Sequence, residues 1–218
     1  MYVPVTSGSE LVSAHAIGYR YPSAAASLFA LANVNLAVRP GEILKVSGRN
    51  GSGKTTLLRI LAGELTPTTG HIRHDRRLSP VYLDQNSASF VAESLTVLEQ
   101  VSLSFPPNNF LARAASPERR ECVRQLLSTY DLGLEHRLAS FIAELSGGQR
   151  QIVALVSLLV GRFNLWLLDE FTAGMDQKAA RVSRQIVEAA AFERNMGVVY
   201  ASHIADPEFK VTSEIALD

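Results

Sequence analysis

The chain has 218 residues, 47% of them hydrophobic and 19% charged, so it can bury a core of domain size and is not a disordered protein. Its 21 basic and 21 acidic side chains cancel, which speaks against a sequence-blind nucleic-acid binder, because such proteins carry a basic excess. The single cysteine, Cys122, excludes an intramolecular disulfide and a cysteine-based metal cluster, and it suits a reducing compartment.

A bilayer-crossing helix needs about 20 apolar residues. The longest apolar stretch, 152–160, is broken by Ser157 and stops at Gly161-Arg162. Residues 1–10 lack a basic n-region and a long apolar h-region, the marks of a signal peptide. The expected location is the cytosol, and work at a membrane would require docking on another protein.

In chain order, Val34, Leu36 and Val38 alternate with polar or small neighbours, the period of a half-exposed strand. Pro40-Gly41 turns the chain, and 43–46 reads as a short strand running into a glycine-rich stretch. Residues 54–61 favour helix, with Gly63 just past the end. Short strands are expected at 71–73 and 80–83. Residues 95–103 read as helix, Pro106-Pro107-Asn108-Asn109 as a breaker, and Ser116-Pro117-Glu118 as the start of another helix. Ile152, Leu155, Val156 and Leu159 follow helical spacing, and Val153 and Leu158 add apolar surface elsewhere, so that helix is buried all round. The run 165–168, ending in Asp169-Glu170, has the pattern of a central parallel strand. Helix is expected over 177–192 with Asp176 as its cap, then strands at 198–201 and 215–217. Strands alternating with helices predict an α/β fold with a parallel sheet.

The glycine-rich stretch is Gly48-Arg49-Asn50-Gly51-Ser52-Gly53-Lys54-Thr55, followed by Thr56. It matches the phosphate-loop pattern of glycine, four residues, then Gly-Lys-Ser/Thr. Glycines let successive backbone N–H groups converge on one anion, and the following helix adds its positive end. Lys54 suits the β- and γ-phosphates, and the Thr55 hydroxyl suits Mg²⁺, which takes hard oxygen ligands.

Downstream, Leu145-Ser146-Gly147-Gly148-Gln149 opens the apolar helix. With the phosphate loop it resembles the ATP-binding-cassette (ABC) ATPases over nearly the whole chain and in the family's order. Tyr21, followed by Pro22, resembles the aromatic that stacks on adenine, with Tyr19 as its rival. Gln85 resembles the Q-loop glutamine, and 95–100 its usual sequel. Asp169-Glu170 resembles the acidic strand end, Asp176 the D-loop aspartate and His203 the switch histidine.

The resemblance implies a P-loop NTPase: one ABC ATPase domain over 1–218, with a parallel-sheet core, an antiparallel β subdomain and an inserted α-helical subdomain. The core would be 1–85 and 151–218, the helical subdomain about 86–150. It implies ATP and Mg²⁺, with Thr55, Gln85 and Asp169 toward the metal, and Lys54, Gln85, Glu170 and His203 as the catalytic set. Glu170 would polarise the attacking water. Residues 48–56, Tyr21, Ser146, Gly147, Gly148, Gln149 and Asp176 would meet nucleotide. It implies a head-to-tail dimer, homodimer or heterodimer, with two ATP molecules between subunits, docked on separate membrane subunits at the cytoplasmic face, with no nucleic acid. A soluble ABC ATPase acting on DNA or ribosomes, or a non-hydrolysing regulatory module, stands as the alternative. The sequence departs from the common family pattern at Phe171, where proline is usual, and at Gly174 in Thr172-Ala173-Gly174-Met175-Asp176. Cys122 reads as a packed helix residue.

Overall fold

The computed structural model describes residues 10–22, 30–84, 90–105, 116–203 and 208–217. In chain order these form β1 (Val12–Tyr19), β2 (Leu31–Val38), β3 (Ile43–Gly48), α1 (Lys54–Leu61), β4 (Thr69–His74) and β5 (Pro80–Leu83). Then follow α2 (Val97–Ser104), α3 (Pro117–Ser128), α4 (Gly147–Val160), β6 (Leu165–Asp169), α5 (Gln177–Glu188), β7 (Gly197–Ala201) and β8 (Ser213–Leu217). Two compact units result: Met1–Asp84 with Phe163–Glu170 and Glu188–Asp218, and Gln85–Arg162 with Phe171–Val187.

The first unit holds all the strands among the described residues, and α1. Five strands make a parallel sheet in the order β5-β6-β7-β3-β8. β6 and β7 are covered along their whole length, which is why they read as unbroken apolar runs rather than alternating ones. Three more strands, in the order β2-β1-β4, make an antiparallel sheet. β1, at its centre, has no counterpart in the sequence reading. Its register slips between Ala14 and Ile17 and Ala16 sits at φ 50°, so its buried residues do not alternate. One buried cluster joins Val12, Ala14 and Ile17 of β1 and Val34 and Val38 of β2 to Leu57, Leu58, Ile60 and Leu61 of α1, and on to Val46, Leu167 and Val199. Leu58 is fully buried there, and truncating such a leucine to alanine costs about 2–5 kcal/mol. The expected P-loop architecture, with parallel core, antiparallel sheet and helices, is present.

The second unit holds α2, α3, α4 and α5 up to Val187. It is larger than the expected 86–150, because α4 packs against α2 and the α5 side chain Ala179 lies against Gly148 at the start of α4. The helix expected over 95–103 begins instead at Val97. Thr96 bridges to Phe141 and caps α2, its hydroxyl accepting from the Glu99 N–H while the Glu99 carboxylate accepts from the Thr96 N–H. Ser116 caps α3 as expected, accepting from the Arg119 N–H at 3.1 Å, with Pro117 in the first turn. α4 is buried from Gln151 to Leu159, as its all-round apolar sequence requires. The expected breaker at 106–109 lies outside the described residues.

Candidate nucleotide site

Ligands in an open parallel sheet collect outside the carboxyl ends of the strands. β6, β7 and β3 are neighbours, and their carboxyl ends carry Asp169-Glu170, Ser202-His203 and the phosphate loop respectively. Asp169 pairs in register with Ala201, and Val46 with the same Ala201. Segments more than a hundred residues apart in sequence thus end side by side.

The loop from Gly48 to Lys54 is shaped by its glycines. Gly48 lies at φ 153°, where a Cβ would strike the Ser52 hydroxyl and the Leu217 carbonyl. Gly53, the residue before α1, lies at φ 93°, and a Cβ there would meet the Ala30 carbonyl and the Leu31 side chain. Arg49, Asn50 and Gly51 are exposed. The Ser52 hydroxyl is buried with no hydrogen-bond partner. Lys54 is 7% exposed, and its ammonium donates to the carbonyls of Gly48 at 2.8 Å and Arg49 at 3.0 Å. The lysine therefore already arches over its own loop, where an anion on the loop amides would meet it. These features fit a polyphosphate.

Asp169 is 6% exposed and accepts two hydroxyls on the same oxygen, Oδ2: Thr55 at 2.5 Å and Tyr82 at 3.3 Å. Burial holds the Asp169 carboxyl above its ordinary value, against the pull of those two hydroxyls. Burial and then the carboxylates of Asp169 and Asp84 likewise push the Tyr82 phenol up. Thr55 and Asp169 together present hard oxygen donors of the kind Mg²⁺ takes. Glu170 adopts φ 47° and donates its N–H to the Ala201 carbonyl at 3.0 Å. This left-handed turn ends the strand's alternation one residue past Asp169. The Glu170 carboxylate lies 2.7 Å from Nδ1 of His203.

Of the two tyrosines, Tyr19 lies in the buried cluster, 9% exposed. Tyr21 is 40% exposed, stands edge-on to Tyr19 with ring centroids 5.0 Å apart, and its hydroxyl meets the Thr56 hydroxyl at 2.9 Å. Tyr21 is therefore the ring of the two that has a face to offer. Gln85 lies outside the described residues. Tyr82 was not singled out by the sequence; a tyrosine in an expected strand reads as packing, and only the pairing of β5 with β6 brings it to Asp169.

The remaining candidates belong to the second unit. Ser146 caps α4: its hydroxyl accepts from the Gln149 N–H, and the Gln149 side chain accepts from the Ser146 N–H. Ser146 and Gly147 are exposed and Gly148 is half-buried. Arg137 donates to the Gln149 side chain at 3.2 Å and to the Glu144 carbonyl at 3.3 Å, bracing the entry to the helix. Asp176 caps α5, accepting from the Ala179 N–H at 2.8 Å. Gly174 sits at φ 71°, so glycine there answers a backbone demand. Phe171 is buried.

Among the described residues no helix is long and apolar enough to cross a membrane, and no group of three or more His, Cys, Asp or Glu residues could hold a metal ion. The sequence profile described as ABC transporter matches residues 31–173. The lipoprotein-releasing system ATP-binding protein LolD of Pseudomonas syringae pv. tomato is 30% identical over 90% of this chain and 90% of its own. The thiamine import ATP-binding protein ThiQ of Yersinia pseudotuberculosis is 32% identical over 84% of this chain and 78% of its own. A dimeric structure of the ATP-binding cassette MJ0796, in a post-hydrolysis state bound to ADP and Pi, superposes with a TM-score of 0.70. It is 28% identical and covers 88% of each chain. The cradle of loop amides beneath Lys54 and the acidic strand end beside it are thus found in a chain that belongs to the ABC transporter family, as an ATP-binding, ATP-hydrolysing subunit.

Proposed function

We propose that this ATPase powers transport through separately encoded membrane subunits, at the cytoplasmic face of the membrane, by closing and opening a head-to-tail pair of cassettes around two ATP molecules. The observation that carries the reading is the meeting of three strand ends, which sets His203 Nδ1 2.7 Å from the Glu170 carboxylate beside the phosphate loop.

In this reading Tyr21 stacks on the adenine, and the amides of residues 49–56 grip the phosphates. Lys54 trades the Gly48 and Arg49 carbonyls for phosphate oxygens. Thr55 and Asp169, with Gln85, hold Mg²⁺, which supplies neutralisation of the charge that spreads over the transferring phosphoryl group. Glu170 orients a water for in-line attack on the γ-phosphorus and takes its proton. The new bond joins the water oxygen to phosphorus. The bond from phosphorus to the bridging oxygen breaks, and ADP keeps the electron pair. The His203 imidazole meets Glu170 through Nδ1, which leaves Nε2 for a phosphate oxygen.

Ser146, Gly147, Gly148 and Gln149 open α4, and the N–H groups of Gly147 and Gly148, which the capping box between Ser146 and Gln149 does not use, suit the γ-phosphate held by a second copy. Asp176 sits at the contact between the two copies. The named relatives serve unlike cargoes with one engine, which supports placing cargo recognition on the membrane subunits.

The test is phosphate release by the purified protein. Glu170→Gln is expected to lower kcat by about 10²–10⁴-fold while ATP still binds, whereas Lys54→Ala weakens ATP binding itself. Undiminished turnover in Glu170→Gln would remove Glu170 from the role of base.

A further inference from the structure

β5 and β6 run parallel with Tyr82 opposite Leu167. Alternation then places Leu167 and Asp169 on one face of β6, and Tyr82 shares it, its half-buried ring packed on the cluster built around Leu57, Leu58 and Leu61 of α1. From that seat the phenol has one described hydrogen-bond partner, Asp169 Oδ2 at 3.3 Å. Thr55, from the first turn of α1, donates to the same oxygen. A carboxylate held by two hydroxyls on one oxygen has its rotation about the Cβ–Cγ bond fixed, and its second oxygen, Oδ1, is left to other partners.

We infer that Tyr82 is a positioning residue: its hydroxyl, with that of Thr55, locks the Asp169 carboxylate in the orientation that holds the divalent cation of the bound nucleotide. The inference rests on the assignment of Asp169 to Mg²⁺ proposed above and adds a residue that the motif reading did not include. The ring and the hydroxyl of Tyr82 have separable tasks. The ring fills space against α1. The hydroxyl alone reaches the carboxylate, so a phenylalanine keeps the packing and loses the lock. Groups that orient metal ligands from behind raise affinity for the ion rather than for the rest of the ligand.

The experiment compares wild type, Tyr82→Phe and Asp169→Asn in two assays. One measures Mn²⁺ affinity by electron paramagnetic resonance in the presence of a non-hydrolysable ATP analogue. The other measures binding of a fluorescent ATP analogue in EDTA. Tyr82→Phe is expected to weaken Mn²⁺ by about tenfold, the lower end for a residue behind the ligands, and to leave metal-free nucleotide binding unchanged. Asp169→Asn weakens Mn²⁺ further. Unchanged Mn²⁺ affinity in Tyr82→Phe, with Asp169→Asn impaired, overturns the positioning role alone. Unchanged affinity in both overturns the assignment of Asp169 to the metal. A loss of metal-free nucleotide binding in Tyr82→Phe, equal to its loss of Mn²⁺, shows that the hydroxyl serves packing and also overturns the inference.

Discussion

Asp169 is held in the folded protein against the grain of its own charge. Burial is the largest influence on it and raises its pKa above the ordinary 3.8. The sign of the pH effect follows. Between the ordinary value and the raised one, the folded protein binds more protons than the unfolded chain, so stability falls as pH rises through that window. Above it the charged carboxylate carries its full desolvation cost. Asp169→Asn is therefore expected to melt higher than wild type at pH 7 in the absence of nucleotide and metal. The two melting temperatures should converge as pH approaches 3.8 from above. A thermal melt series across that range checks it, and a variant that melts lower than wild type at pH 7 contradicts it. The motif reading could name Asp169, because two acids at the end of an apolar strand are legible as letters. It could not tell how deeply the carboxylate is buried, nor that Tyr82 shares its oxygen, because both depend on which strand lies next to β6.

Helix starts were the most readable features of the elements. Ser116 before Pro117 and Glu118 marks a cap in the sequence, and the Ser116 hydroxyl does accept from the Arg119 N–H. Ser116→Ala is expected to cost about 1 kcal/mol of stability, measured by urea unfolding, because an orphan N–H loses its partner. A cost within error of zero would mean that the freed N–H finds another acceptor. Helix ends were less readable. The helix expected to run to Phe192 keeps α geometry only to Glu188, then widens into a π turn over Ala189–Glu193. The widening goes with contacts beyond the helix, where the Met196 N–H reaches the Ala190 carbonyl, and local propensity does not report such contacts. β1 is illegible in the sequence for a related reason. Its bulge at Ala16 removes the period of two on which strand recognition relies.

For the whole molecule, the helix tip at Ser146 and the phosphate loop are proposed to meet only when two copies face one another. Hydrolysis would remove the tether, so blocking hydrolysis should keep the pair closed. Glu170→Gln is expected to double in mass by analytical ultracentrifugation on addition of MgATP, and to remain a monomer with MgADP. If it stays a monomer with MgATP at saturating concentration, the head-to-tail pairing of this chain with itself is wrong.

The order β5-β6-β7-β3-β8 has no image in the sequence, since β3, an early strand, lies between β7 and β8 from the end of the chain. Motif letters set the chemistry in advance: glycines where amides must converge, a lysine for phosphate, acids and a histidine at apolar strand ends. These are short-range facts, fixed by what each residue can do with its own backbone and side chain. The tertiary structure alone decided that Asp169, Thr55 and Tyr82 share one oxygen, that His203 sits on Glu170, and that Tyr21 rather than Tyr19 is open to solvent. Those outcomes depend on long-range strand pairing and burial, which belong to the packed molecule and to no single stretch of it.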